Sequence, residues 1–283
     1  MEIFQDRLLK DYSTFKIGGK ANFLVEIRTA EEASKALDFA KQNQLNWLTI
    51  GKGSNCLFPD HGFIGLVIVN CINHFQQQDH LFKAGAGFSF AYLGVKTAAL
   101  GYSGLEFASG IPGSVGGAVY MNAGASGKET FDVLKNVTFL SSDGEIETFD
   151  REKLSFSYRK SVFQRLKGII IDATFELEHN EQAKKLQQSL LAGRIKTQPY
   201  QSPSIGCFFK NPSHDIRAGY LIDQCGLKGV SVGGAKVSEI HANFIVNQEG
   251  ASAEDVINLR NLIQKKVFEK TGIQLEEEVR IIS

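Results

Sequence analysis

Two hydrophobic periods alternate along this chain. After Thr29 the stretch Ala30-Glu31-Glu32-Ala33 opens a run in which Ala33, Leu37 and Ala40 share one helical face, with Thr29 and Glu32 at the spacing of a capping box. Apolar runs of strand length follow at Trp47-Leu48-Thr49-Ile50 and Phe63-Ile64-Gly65-Leu66-Val67-Ile68-Val69. A second set begins with a strand at 81–87 and leads into a helix ending near Gly101. Residues 137–140 and 145–149 flank Asp143-Gly144, the strongest short-range hairpin signal in the chain, and 168–175 supplies another strand. Polar residues from His179 to Lys185 and a helix through Leu186 and Leu190 read as a joint. The last third holds a hairpin-like stretch around Cys207-Phe208-Phe209 and a strand over 241–246. It ends with a helix opened by Ser252 and Asp255, which carries Val256, Leu259, Ile263 and Val267 on one face and stops at Gly272.

Strands and helices mixed in this way, with at least one hairpin, predict an α+β chain and exclude an all-parallel doubly wound sheet. At 283 residues there is room for about two domains. The joint places one at 1–185, divided into parts of about 1–70 and 71–185, and a second at 186–283. No internal repeat or low-complexity tract interrupts the chain.

Charge narrows the class. Lys plus Arg equals Asp plus Glu at 31 each, so no basic face marks a nucleic acid or membrane partner, and a small-molecule protein is expected. The start, Met1-Glu2-Ile3-Phe4-Gln5-Asp6-Arg7, lacks the basic and apolar regions of a signal peptide, which predicts a cytoplasmic protein. Cys56, Cys71, Cys207 and Cys225 show neither C-x-x-C spacing nor a histidine at zinc-finger distance, so neither a metal site nor a disulfide framework is expected. The sequence does not fix an oligomeric state; a monomer is the default expectation.

The candidate chemistry lies in two glycine-rich segments, Gly51-Lys52-Gly53-Ser54-Asn55 and Ser109-Gly110-Ile111-Pro112-Gly113-Ser114-Val115-Gly116-Gly117-Ala118. Glycine lets the backbone approach a ligand closely and turn consecutive N–H groups onto an anion, so the pair reads as a cradle for a dinucleotide diphosphate. Single Gly-Ser or Pro-Gly pairs are ordinary turn signals; the density here is the argument. The first segment has no third glycine of a Rossmann fingerprint and there is no Walker A sequence, so the cradle belongs to another fold.

Six landmarks in order carry a family resemblance: Thr14-Phe15-Lys16-Ile17-Gly18-Gly19-Lys20-Ala21, the first glycine segment, the run from Gly104 through the second glycine segment to Gly124, Tyr158-Arg159-Lys160-Ser161, Ile205-Gly206-Cys207-Phe208-Phe209-Lys210-Asn211-Pro212, and Leu275-Glu276-Glu277-Glu278-Val279-Arg280. With these the chain resembles, nearly end to end, the UDP-N-acetylenolpyruvoylglucosamine reductases, flavoenzymes of peptidoglycan precursor synthesis. The resemblance implies a two-subdomain FAD-binding module of the vanillyl-alcohol-oxidase (PCMH) type followed by an α+β substrate-binding domain. It implies noncovalent FAD, NADPH as co-substrate, and a nucleotide-sugar substrate. It sets the FAD diphosphate against Gly51, Lys52, Gly53, Ser54 and Asn55 and against Ser109, Gly110, Pro112, Gly113, Ser114, Gly116 and Gly117, with the Ser54 and Asn55 side chains adding hydrogen bonds.

The family reaction passes hydride to C3 of an enolpyruvyl group and a proton to C2, so the site needs a cation at the developing enolate and an acid at C2. By resemblance Arg159 is the cation, Glu278 the carboxylate that works with it, and Cys207 the acid. Cys207 stands where most family members carry a serine, and a thiol, with an ordinary pKa of about 8.5, is a far stronger acid than an alcohol. Lys210, Asn211 and Gln224 are expected to meet the substrate, with Lys228 beside them. The interval from Arg159 to Pro203 is too short for the tyrosine-bearing lid of one class of these reductases, so the compact class is implied, with Tyr120, Tyr200 and Tyr220 as candidates to close over the substrate. The rival readings are an FAD oxidase of a hydroxy acid or sugar on the same fold, and a noncatalytic flavin-binding module.

Overall fold

A computed structural model describes residues 1–283. The chain forms two compact units that interleave in sequence: Met1–Phe4, Phe23–Lys52 and Gly65–Arg194 make the first, and Gln5–Asn22, Gly53–Ile64 and Ile195–Ser283 the second.

In the first unit, helix α1 (Ala30–Gln42) begins at Thr29, whose hydroxyl accepts the Glu32 N–H. The expected reciprocal bond is displaced by one residue, because the Glu32 carboxylate takes the N–H of Arg28 instead of that of Thr29. The apolar face of α1, Ala33, Ala36, Leu37 and Ala40, is buried with Val25, Ile27, Leu66 and Ile68. The latter four belong to a sheet ordered Ile3–Leu8, Lys20–Ile27, Phe63–Asn70, Trp47–Ile50, in which Trp47–Ile50 runs parallel to 66–69.

A second sheet of this unit is antiparallel throughout, ordered Ile146–Asp150, Leu134–Ser141, Gly168–Glu176, Leu81–Gly85, Phe75–Gln78. The hairpin expected at Asp143-Gly144 is one of its edges, with Gly144 at φ +90°. Helices α2 (Phe90–Ala99) and α3 (Val115–Met121) bury Phe90, Leu93, Val115 and Val119 in one core with Phe82, Val137 and Phe175.

In the second unit the strand containing Cys207, Ser204–Cys207, forms no local hairpin. It pairs with the distant strand Phe244–Asn247, which pairs in turn with Ala235–Val237 and that with Ser231–Val232. The expected strand over 241–246 therefore starts only at Phe244, because His241 accepts the Asn243 N–H in a turn. Helix α4 (Ala183–Thr197) leads into the unit, and α5 (Ala218–Gln224) and α6 (Ala253–Thr271) supply its helical core. Val256, Leu259, Ile263 and Val267 of α6 are buried with Phe208, Phe209, Leu275 and Val279, as the periodicity predicts. No helix is long and apolar enough to cross a membrane.

Helix α6 is closed at both ends. Ser252 and Asp255 form a full capping box, and Gly272 ends the helix at φ +71°. The Asp255 carboxylate accepts the N–H groups of Ser252 at 3.0 Å and Gly234 at 3.3 Å, and these two bonds hold its pKa below the ordinary aspartate value. A lowered folded-state pKa adds stability above the unfolded-state value and loses it as pH falls through the folded one. Asp255→Ala should therefore cost about 1 kcal/mol at pH 7. In urea unfolding the gap to wild type should close as pH drops below about 3.9.

Candidate active site

The two glycine-rich segments meet in the first unit through contacts that only glycine permits. A Cβ built on Gly51 would lie 2.0 Å from the Ser114 Oγ, and one on Gly116 would lie 2.9 Å from the Ala86 Cβ. Ser89 and Ser114 face each other in a two-residue bridge, flanked by bonds from Phe90 N to Gly113 O and from Val115 N to Phe88 O. Most N–H groups of the second segment are engaged within the protein: Gly113 donates to Ile111 O, Gly116 to Ala86 O, and Gly117 to the Ser114 hydroxyl. Ser109 turns its hydroxyl onto Glu106 O. The glycines serve close packing here, and the electrostatics come from elsewhere.

Ser89 caps α2 and Ser114 caps α3, so two helix N-termini lie side by side. Lys52 donates from Nζ to Ser89 Oγ at 3.0 Å. Partial burial of the ammonium pulls the Lys52 pKa below the ordinary lysine value. A lysine at a helix N-terminus adds positive charge where the helix dipole is already positive, an arrangement that an anion relieves.

In the second unit, Cys207 owes its position to a bulge. Ser204 is paired with Val246 and Cys207 with Phe244, so one extra residue sits on the Cys207 strand, where Gly206 takes φ +83°. Asn243 fixes the next two residues: its carbonyl accepts the Phe208 N–H, its Oδ1 accepts the Phe209 N–H, and its Nδ2 donates to Phe209 O. The other flank of this segment carries Glu278, whose N–H donates to Phe208 O at 2.9 Å. Asn55 Nδ2 donates to Glu278 O at 3.1 Å, and Asn55 O accepts the Arg280 N–H. Neighbouring carboxylates are committed to ion pairs, Glu276 with Lys210 and Glu277 with Arg260, the latter also accepting from Gln264. Burial raises the Glu277 pKa, but the bond from Arg260 and its companions outweigh it and hold the carboxyl below its ordinary value.

A cavity of about 340 Å³ in the second unit is lined by Cys207, Asn211, Arg217, Tyr220, Asp223, Lys228, His241 and Asn243, among others. Lys228 and Asp223 form an ion pair at 2.8 Å. Asn211 accepts the Ala218 N–H at Oδ1 and so holds the start of α5. Tyr220 is 63% exposed. Arg159 belongs to the first unit and occupies a two-residue hairpin loop at φ +57°, with Nη2 donating to Gly124 O at 3.1 Å.

Comparison with known proteins decides the family. The FAD binding domain model matches residues 21–150, and the model for the UDP-N-acetylenolpyruvoylglucosamine reductase C-terminal domain matches 198–282. The chain is 50% identical to the UDP-N-acetylenolpyruvoylglucosamine reductase of Protochlamydia amoebophila over 276 residues, 97% of this chain and 92% of that one. It is 47% identical to that of Chlamydia abortus, again over 97% and 92% of the two chains. The crystal structure of UDP-N-acetylenolpyruvylglucosamine reductase from Thermus caldophilus matches with a TM-score of 0.84 at 36% identity, covering 100% of both chains. This chain belongs to the UDP-N-acetylenolpyruvoylglucosamine reductase family. It is an FAD-dependent oxidoreductase of peptidoglycan synthesis, built from an FAD-binding module and an α+β C-terminal domain.

The FAD of this family fits what the first unit presents. Lys52 and the α2 N-terminus concentrate positive potential beside Ser89 and Ser114, which a diphosphate placed there would neutralise. Of the expected substrate residues, Asn211 lines the cavity together with Lys228, whereas Lys210 pairs with Glu276 and the Gln224 carbonyl accepts from Lys270. Among the tyrosines put forward for closure, Tyr220 lines the cavity. Sequence reasoning passed over Arg217 and Asn243. The signal for Arg217 was its spacing, since it caps α5 three residues before Tyr220 and six before Asp223. Asn243 left no such signal, since its partners are distant in sequence.

The contact between the glycine segments has a direct test. Gly51→Ala should destabilise the protein by about 1–3 kcal/mol through overpacking against Ser114. Gly51→Ala combined with Ser114→Gly should recover most of that loss in urea unfolding, because the atoms in conflict are then gone.

Proposed function

We propose that the protein reduces UDP-N-acetylglucosamine enolpyruvate to UDP-N-acetylmuramate with NADPH as reductant, and that Cys207 delivers the proton to C2. The observation that carries this reading is the cavity in which Cys207 keeps company with Arg217, Asn211, Tyr220 and the Lys228–Asp223 pair, cationic and hydrogen-bonding groups suited to a nucleotide sugar. Residues 1–185 are assigned to FAD and 186–283 to the nucleotide sugar, in a cytoplasmic, monomeric enzyme of the compact class.

FAD would supply the redox chemistry, carrying hydride from NADPH to the enolpyruvyl group. Lys52, Ser89 and Ser114 would hold its diphosphate, with Gly51 packed against Ser114. As the C3–H bond forms, the electron pair of the double bond moves onto C2 and into the adjacent carboxylate. Arg159 neutralises that charge with a guanidinium, whose planar fork matches a carboxylate. The Cys207 S–H bond breaks as the new C2–H bond forms, and the thiolate left behind regains a proton from water. Glu278 orients this end of the substrate; its peptide is gripped on both sides, donating to Phe208 O and accepting from Asn55 Nδ2, beside the strand that ends at Cys207.

Anaerobic flavin spectroscopy tests the reading in two steps. NADPH should bleach the flavin, and the enolpyruvyl substrate should restore the oxidised spectrum; reduced flavin that this substrate leaves bleached would refute the assigned reaction. Cys207→Ala should slow the second step at least ~100-fold, the usual worth of a general acid. A Cys207→Ala enzyme that reoxidises at the wild-type rate would remove Cys207 from the mechanism. Lys228→Ala should raise KM for the nucleotide sugar about tenfold or more with a smaller change in kcat, since it removes a ground-state contact.

A further inference from the structure

Arg159 poses a structural problem. The pairs Phe156 with Ser161 and Ser157 with Lys160 leave Tyr158 and Arg159 as the whole loop of a tight hairpin, and Arg159 takes the left-handed φ of +57° that side chains disfavour. A residue so placed keeps one geometry only where its surroundings impose it. The hairpin is anchored to the C-terminal end of α3. Ser161 Oγ donates to Tyr120 O at 2.7 Å, and Asn122 Nδ2 donates to Ser157 O at 3.2 Å. Both bonds hold the hairpin stem, and neither touches the Arg159 peptide.

Gln164 does. Its Nε2 donates to Arg159 O at 3.0 Å and to Tyr120 O at 2.9 Å, with Met121 Sδ at 3.6 Å. Two carbonyls on one side-chain nitrogen fix the amide orientation, because the reversed amide would set an oxygen against two oxygens. The Arg159 peptide is thereby tied to the helix end, and its guanidinium is held separately through Nη2 on Gly124 O. Helix α3 is capped by Ser114 of the second glycine segment and ends about 10 Å further on at the anchored hairpin. This short, rigid helix thus sets Arg159 relative to that segment.

We propose that Gln164 is a positioning residue for Arg159: by tying the Arg159 carbonyl to Tyr120 it stabilises the left-handed backbone that aims the guanidinium. The inference rests on Arg159 acting on the substrate carboxylate, as proposed above. Gln164 needs no contact with substrate or cofactor, and its effect passes entirely through Arg159.

The test uses Gln164→Leu, which keeps the bulk and removes both donors, with Gln164→Glu as a near-isosteric second variant should the first fail to fold. Single-turnover reoxidation of the reduced holoenzyme at saturating enolpyruvyl substrate should slow ~10- to 100-fold, the scale of a misplaced catalytic group. Amide exchange over residues 157–161 should accelerate relative to 115–119. In an Arg159→Ala background the Gln164 substitution should cause no further slowing, because a residue acting only through Arg159 has nothing left to position. Wild-type reoxidation, unchanged exchange, or a loss that multiplies with that of Arg159→Ala would each overturn the proposal. If Arg159→Ala itself reoxidises at the wild-type rate, the assignment of Arg159 fails, and the proposal falls with it for that separate reason.

Discussion

The bond from the Glu278 N–H to Phe208 O is the constraint on which the arrangement around Cys207 in the second unit depends. It joins two segments far apart in the chain and fixes a carboxylate-bearing residue beside the strand that ends at Cys207. Each partner is then secured from its far side. Asn243 clamps Phe208 and Phe209 with three hydrogen bonds, and Asn55 clamps Glu278 and Arg280 with two. Below them, Phe208, Phe209, Leu275 and Val279 are buried against α6, so displacing either segment exposes aromatic and aliphatic surface. The buried Asn243 suits this work because one short side chain both donates and accepts, and so satisfies both backbone groups of Phe209.

The first unit is governed by a different economy of space. Its glycines are needed where backbone and side chain approach too closely for a Cβ, at Gly51 against Ser114 and at Gly116 against Ala86. That crowding brings Ser89, Ser114 and Lys52 together, and the positive end of α2 is left facing a lysine. Packing alone would select against such a pairing of like charge. An anion bound there would relieve it, and this is the place proposed above for the FAD diphosphate.

How much of this was legible in the sequence depends on the range of the interactions. Helix α6 was readable from cap to cap, since Ser252, Asp255, the apolar face and Gly272 act within one element. The hairpin at Asp143-Gly144 was readable for the same reason. The strand ending at Cys207 was misread as part of a local hairpin because its true partner, Phe244–Asn247, is chosen by burial and by Asn243, neither of which leaves a local pattern. Glu32 illustrates the limit on a small scale: the spacing to Thr29 was right, but the carboxylate found the Arg28 N–H one residue earlier. Of the glycine segments, the sequence disclosed their importance but not their role, since it cannot distinguish N–H groups turned outward to a ligand from those engaged within the protein.

The three side chains assigned to the reaction share a feature that follows from chemistry rather than from fold. Arg159 is itself left-handed, Cys207 follows the left-handed Gly206 in a bulge, and Glu278 lies between an isolated bridge at Glu277 and the short ladder that begins at Arg280. Regular strands and helices point their side chains at fixed periods, into the core or into solvent. A reacting group must point elsewhere, so the backbone that carries it has to break the period at that residue. At Arg159 the cost is a left-handed φ, anchored by Gln164; the peptides after Cys207 and at Glu278 are likewise held by amide side chains, Asn243 and Asn55. An amide side chain close to each of the three peptides is thus a shared device for holding the residues proposed for the reaction.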